Sequence, residues 1–139
     1  MQSLSSQLLE YPVVMDMFGV GPILGPQLIA EIGDVRRFYS KKALVAYAGI
    51  DAPPNDSSDV IGRHKSMSKV DASSLRRTLF LVMSAYLQNS PPNEPIYQFM
   101  NRKRAEGKPY RVYMMASANK FLRIYYATVK AYLETLEQI

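Results

Sequence analysis

Seven residues spaced alternately three and four apart (Met115, Ala118, Leu122, Tyr125, Val129, Tyr132 and Leu136) draw one apolar stripe down the last stretch of the chain. That spacing is a heptad seam over three repeats, and it commits residues 110–137 to one long helix. A helix this long with one apolar side must lay that side on a partner. Tyr125 and Tyr132 in the seam favour packing on the domain's own helices over zipping to a second chain. The chain has only 139 residues, one domain's worth, and 47% are hydrophobic, enough for a core.

Upstream, the same periodicity recurs in shorter pieces cut by Pro and Gly. Residues 2–10 read as the end of a helix that Pro12 interrupts, followed by a short turn of helix over residues 13–17. Leu24, Leu28, Ile29 and Ile32 share one side of a helix that starts near Leu24 or Gly25, with Pro26 in its first turn and Gly33 at its end. Ser40 is a good N-cap for a helix over residues 41–48, with Leu44, Val45 and Ala48 inward and Gly49 closing it. From Ile50 to about Ala72 no period is visible, and Pro53, Pro54, Asn55 and Gly62 mark a long loop of the kind that tends to be functional or disordered. Ser73 is expected to cap a helix carrying Leu75, Leu79, Val82, Met83, Tyr86 and Leu87 inward. Pro91-Pro92 stops it, Asn93 is expected to cap the next, and Gly107 ends that one. No strand pattern competes, so the expected fold class is all-α.

Composition removes several function classes. With no Cys and a single histidine, His64, a disulfide scaffold, a thiolate or poly-histidine metal site and a cysteine nucleophile are excluded. No apolar run of membrane-spanning length exists and the first residues do not have the form of a signal peptide, so the default is a cytoplasmic protein with no membrane partner. Net charge is +5 and unevenly placed. Residues 1–34 hold four acids and no base; residues 99–130 hold eight lysines and arginines against one acid, Glu106. A basic half on a short chain points to a polyanion, nucleic acid first, although an ordinary solvated basic surface has near-equal standing on charge alone.

Two segments carry chemistry. Phe18-Gly19-Val20-Gly21 lies between two helical stretches, in the form of a helix-hairpin-helix over residues 13–33. Backbone N–H groups of such a turn, with the following helix start, can hold one phosphate without reading bases. A plain tight turn is the competing reading. The second segment is the loop 51–69, where Ser57 and Ser58 are candidate nucleophiles and Arg63, His64, Lys65 and Lys69 are candidate phosphate ligands. On residue types alone, a polar loop whose serines make turns is the favoured reading. A magnesium site from Asp51, Asp56 and Asp59 ranks below both.

Three runs taken together resemble a known family: residues 19–34 with Arg37-Phe38, then Ala43-Leu44-Val45-Ala46-Tyr47-Ala48-Gly49-Ile50-Asp51, then Ser68-Lys69 followed by Leu75-Arg76-Arg77. They resemble the C-terminal domain of bacterial insertion-sequence transposases of the IS110/IS116/IS902 group, over about residues 12–133, with residues 1–11 as the end of a linker helix. The resemblance implies DNA transposition or site-specific recombination. It also implies a preceding RNase-H-like domain with a DEDD metal set holding Mg²⁺, with no cofactor in this chain itself. DNA and a structured guide RNA are the implied partners, in a nucleoid-associated homo-oligomer of the full-length protein. The family's serine nucleophile falls on Ser57, with Asp56 where an amide is usual and Ser58, the alternative register, where a glycine is usual. On this reading the chain is an isolated C-terminal piece or a truncated element, inactive in strand exchange by itself. The expected nucleic-acid-binding set is Gly19, Val20, Gly21, Arg63, Lys65, Lys69, Arg76, Arg77, Arg102, Lys103, Arg104 and Lys108. A non-catalytic helix-hairpin-helix binding module is the alternative, and a dimerisation domain built on the last helix is a third possibility.

Overall fold

A computed structural model describes residues 9–50 and 69–138. All regular structure among them is helical: α1 (Tyr11–Met15), α2 (Leu24–Ile32), a 3-10 turn (Val35–Arg37), α3 (Lys41–Ala48), α4 (Lys69–Asn89), α5 (Pro95–Ala105) and α6 (Tyr110–Glu137). Residues 2–8 of the first expected helix and most of the serine-bearing loop, with Ser57, Ser58, Arg63, His64 and Lys65, lie outside the described residues.

The long last helix organises the rest. α6 packs against α5, α4, α3, α1 and the 3-10 turn, while α2 packs on α1 and α4. Its buried face is wider than the heptad seam. Ala118, Leu122, Tyr125 and Val129 are buried as the spacing predicts, and Met114, Ser117, Phe121, Tyr126 and Leu133 are buried beside them, whereas Met115, Tyr132 and Leu136 are only half-buried. A two-stranded seam needs only its narrow stripe covered. Helices on several sides cover a broad one, so the stripe serves the domain's own core.

Local chemistry explains most of the ends. Ser40 Oγ accepts from the Ala43 N–H at 3.1 Å, and Gly49 closes α3 in the left-handed region. Gly33, at φ +73°, closes α2, and the Arg37 guanidinium adds a hydrogen bond from Nε to the Ile32 carbonyl at 2.9 Å. Tyr126 donates to the Phe38 carbonyl at 3.0 Å and so ties the 3-10 segment to α6.

Three boundaries differ from the sequence reading. Pro12 sits in the first turn of α1, where a missing N–H costs nothing, so the short helix runs over residues 11–15 rather than 13–17. Ser73 does not start α4. The helix begins at Lys69, and Ser73 lies inside it as an acceptor for Arg76 Nη2 at 3.2 Å. Asn93 does not cap α5. Glu94 does, its carboxylate accepting from the Ile96 and Tyr97 N–H groups at 2.7 and 3.0 Å. Proline at the first helical position forces the residue before it to be extended, and that residue is Glu94 (φ −89°, ψ 127°).

Candidate nucleic-acid interface

The turn between α1 and α2 is built into the core. Gly19 adopts φ +82°, and a Cβ placed on it would lie 3.1 Å from Val82 and 3.2 Å from Tyr86 on α4. The Tyr86 hydroxyl donates to the Phe18 carbonyl at 3.2 Å, and the two rings pack with centroids 4.9 Å apart. The Val20 side chain is buried. Gly21 is different: its φ lies outside the left-handed region and a Cβ there would meet nothing within 4 Å. Of the two glycines of the turn, Gly19 alone uses a positive φ. Gly19 is explained by its approach to α4, and Gly21 is the position of the turn with open space.

Several basic residues, Arg76 of the expected set among them, are engaged within the fold. Arg76 donates from Nη1 to the Ala48 carbonyl at 3.3 Å, covering the C-terminal end of α3. Arg36 bridges Asp34 and Glu137, and Asp34's carboxyl is held below the ordinary aspartate range by its hydrogen bonds with Arg36. Arg37 lies over the Phe38 and Tyr47 rings, 4.4 and 5.1 Å from their centroids. Arg77 is exposed on α4, and Lys69 is the first residue of that helix.

The α5–α6 hairpin has the opposite character. Arg102, Lys103 and Arg104 form the last turn of α5, where the helix dipole favours cations. Gly107, at φ +86°, reverses the chain, and the Lys108 N–H donates to the Lys103 carbonyl at 3.2 Å. α6 then runs back along α5 and carries Lys120 to the same ring that Arg102 and Lys103 approach. The three cations lie 5.6, 5.4 and 5.2 Å from the Phe99 centroid (Arg102, Lys103, Lys120 in turn). No two of them are then more than about 11 Å apart, roughly one Debye length in 0.1 M salt. Arg104 sits 5.8 Å from the Tyr113 ring, and Tyr110 meets Tyr113 edge to face. Among the described residues the carboxylate paired with this cluster is Glu106, 3.6 Å from Lys103. Arg102, Arg104, Lys108 and Arg111 are exposed.

The structure thus brings together Arg102, Lys103, Arg104 and Lys108 of the expected set and leaves Arg76, Arg77 and the hairpin glycines elsewhere. Sequence reasoning missed Phe99, Tyr110 and Tyr113. Their signal was present: Phe99 stands three and four residues before Arg102 and Lys103, and the two tyrosines flank Arg111.

A second feature is a cleft of about 420 Å³ lined by Ala30, Glu31, Gly33, Arg37, Tyr47 and Ser74. Burial pushes the Glu31 carboxyl up from its ordinary range, and its Oε1 has no hydrogen-bond partner among the described residues. A carboxylate there repels phosphate. No group of three or more His, Asp or Glu side chains placed to hold a metal exists among the described residues.

A small helical domain with one strongly cationic hairpin is the class that fold and surface define. The chain belongs to the Transposase IS116/IS110/IS902 family, whose model matches residues 11–98. It is 29% identical over 119 residues to the 42 kDa protein of insertion element IS900 from Mycobacterium paratuberculosis, covering 85% of this chain and 29% of that one. It is 30% identical over 112 residues to the pilin gene-inverting protein of Moraxella bovis (81% and 34% covered). It is 36% identical over 121 residues to the mini-circle protein of the element IS117 from Streptomyces coelicolor (85% and 26% covered). The chain spans about a third or less of the length of these curated relatives. No solved structure matches it. Among the described residues no helix is long and apolar enough to cross a membrane.

Proposed function

We propose that this domain grips nucleic-acid backbone during DNA transposition or site-specific recombination, as the C-terminal, DNA-binding and serine-bearing part of an insertion-sequence transposase. The observation that carries the reading is the α5–α6 hairpin, where Arg102, Lys103 and Lys120 converge on Phe99 with one carboxylate nearby. Cations held within a Debye length of each other repel. A phosphate strand relieves that repulsion and releases its own counterions. Membership of the transposase family, and likeness to a protein whose name describes inversion of a pilin gene, support DNA as the polyanion.

In the same reading Ser57 is the nucleophile, with Ser58 as the alternative register. Its oxygen forms a bond to phosphorus as a strand oxygen leaves, and Arg63, Lys65 and Lys69 stabilise the charge that builds on phosphorus. Gly19, Val20 and Gly21 would contribute backbone N–H groups to a neighbouring phosphate, with Gly21 the position that leaves room. Arg77 lies on the same helix as Lys69, and it would support those bases together with Arg76, which also donates to the Ala48 carbonyl. Mg²⁺ would be supplied by a DEDD domain preceding this one, in a cytoplasmic, nucleoid-associated homo-oligomer that also takes a structured guide RNA.

The test is made in the full-length transposase. Ser57→Ala is expected to abolish covalent protein–DNA adducts on a denaturing gel while leaving DNA affinity intact. Adducts that persist in both Ser57→Ala and Ser58→Ala reject the nucleophile, and the non-catalytic binding module then remains. The domain's binding role is tested separately by its salt dependence.

A further inference from the structure

We infer that the α5–α6 hairpin is a platform for unpaired nucleotides, with Tyr110 as a stacking residue, and does not serve as a duplex clamp. The inference rests on the nucleic-acid reading above and specifies the form of its ligand. Its carrier is the interleaving of rings with cations. Toward the turn, Arg104 lies over Tyr113 and Tyr110 packs edge to face on the same ring, centroids 5.6 Å apart. Further along, Phe99 is ringed by Arg102, Lys103 and Lys120. Tyr113 and Lys120 are two helical turns apart on α6, so the two stations lie about 10 Å apart along the helix.

A duplex presents phosphates outward and hides the faces of its bases. Cations alone would serve it, and exposed rings would add little. A single strand offers base faces as well as phosphates, and proteins that hold one combine a cationic track with aromatic side chains on which bases stack. Tyr110 is 54% exposed, the most open aromatic of the hairpin, at the first position of α6. A residue there has no intrahelical N–H bond to protect, and its ring touches Tyr113 at one edge while more than half of the residue faces solvent. Phe99 and Tyr113, by contrast, are half-buried and hold the cations in place.

The measurement is fluorescence anisotropy on the whole chain, with a labelled oligothymidylate of about 20 nucleotides, its oligouridylate counterpart, and a blunt duplex of the same length. The wild-type protein is expected to prefer either single strand over the duplex. Tyr110→Ala should lower the ratio of single-strand to duplex affinity about tenfold, the scale of one lost stacking contact. Tyr110→Phe, which keeps the ring, should restore that ratio. Arg102→Gln with Lys120→Gln should weaken all three ligands together. A difference between thymidylate and uridylate would say which kind of strand the platform prefers, and supports the inference either way. A wild type that binds duplex as well as single strand, or a ratio unmoved by Tyr110→Ala, overturns the platform and leaves backbone binding standing. Displacement by polyglutamate as readily as by oligonucleotide overturns both, as does absence of binding to every probe.

Discussion

Gly19 and Gly21 stand two residues apart in one turn and make opposite predictions. At Gly19 a side chain meets Val82 and Tyr86 and has to accept φ +82°, so Gly19→Ala should cost about 1–3 kcal/mol in urea unfolding. Gly21→Ala should leave stability within about 0.5 kcal/mol of wild type, because a Cβ there meets nothing within 4 Å. Any loss of nucleic-acid affinity in Gly21→Ala would then report a backbone–phosphate contact, free of folding effects. A Gly-x-Gly pattern predicts a turn from composition. Which glycine is needed depends on α4, more than 60 residues away, and no local pattern contains that information.

Tyr125 is the other residue whose behaviour is set by its surroundings. Its ring fills the core, but its hydroxyl has no hydrogen-bond partner among the described residues. Burial first, and then the charge of Glu10, push its ionisation far above the ordinary tyrosine value. A proton retained in the folded state and lost in the unfolded one means stability is complete below about pH 10 and falls as pH rises beyond it. Tyr86, raised mainly by burial and then by Glu94, contributes in the same direction. Tyr125→Phe should therefore be neutral or stabilising by up to about 1 kcal/mol at pH 7. It should also lose less stability than wild type between pH 9 and about 11, as read by thermal melts across that range.

Among the elements, α5 shows how a cap positions the interface. Glu94 accepts from two backbone N–H groups at the start of the helix, and its other oxygen lies 3.4 Å from the Tyr86 hydroxyl on α4. Glu94→Ala should cost about 1 kcal/mol, measured by urea unfolding, with Glu94→Asp recovering part of it because aspartate also caps well. Several boundaries that rest on a local device were legible in the sequence. Ser40 and Gly49 bracket α3, Gly33 ends α2, and Pro109 precedes α6. The start of α4 was not legible, because residues 69–72 contain no breaker and their helical state depends on a nucleus formed further along. The cap of α5 was misread because residue preference favours Asn over Glu, while proline at the next position outweighs that preference.

At the scale of the whole molecule, charge is separated from structure. Arg36, Arg37 and Arg76 hold helix ends and the 3-10 turn together, and the eight bases of residues 99–130 gather on α5, α6 and the turn between them. The sequence showed that asymmetry plainly. It did not show that Lys120 folds back onto Phe99, a contact made by the α5–α6 turn. Family membership belongs to this scale too, since its match ends at residue 98, before the most basic stretch begins. The hairpin is therefore a part of the reading that physical chemistry supplies independently of the family model. The transposase function proposed for the chain needs both.

The most direct measurement is the slope of log affinity against log salt concentration, taken on a single-stranded oligonucleotide for the wild-type chain and for Arg102→Gln, Arg104→Gln, Lys120→Gln combined. Each neutralised phosphate contributes about 0.7 to that slope on a single strand, so loss of three contacts should flatten it by about 2. Affinity that does not change with salt, or a slope that the triple substitution leaves as steep as before, would contradict the assignment of this hairpin as the nucleic-acid grip.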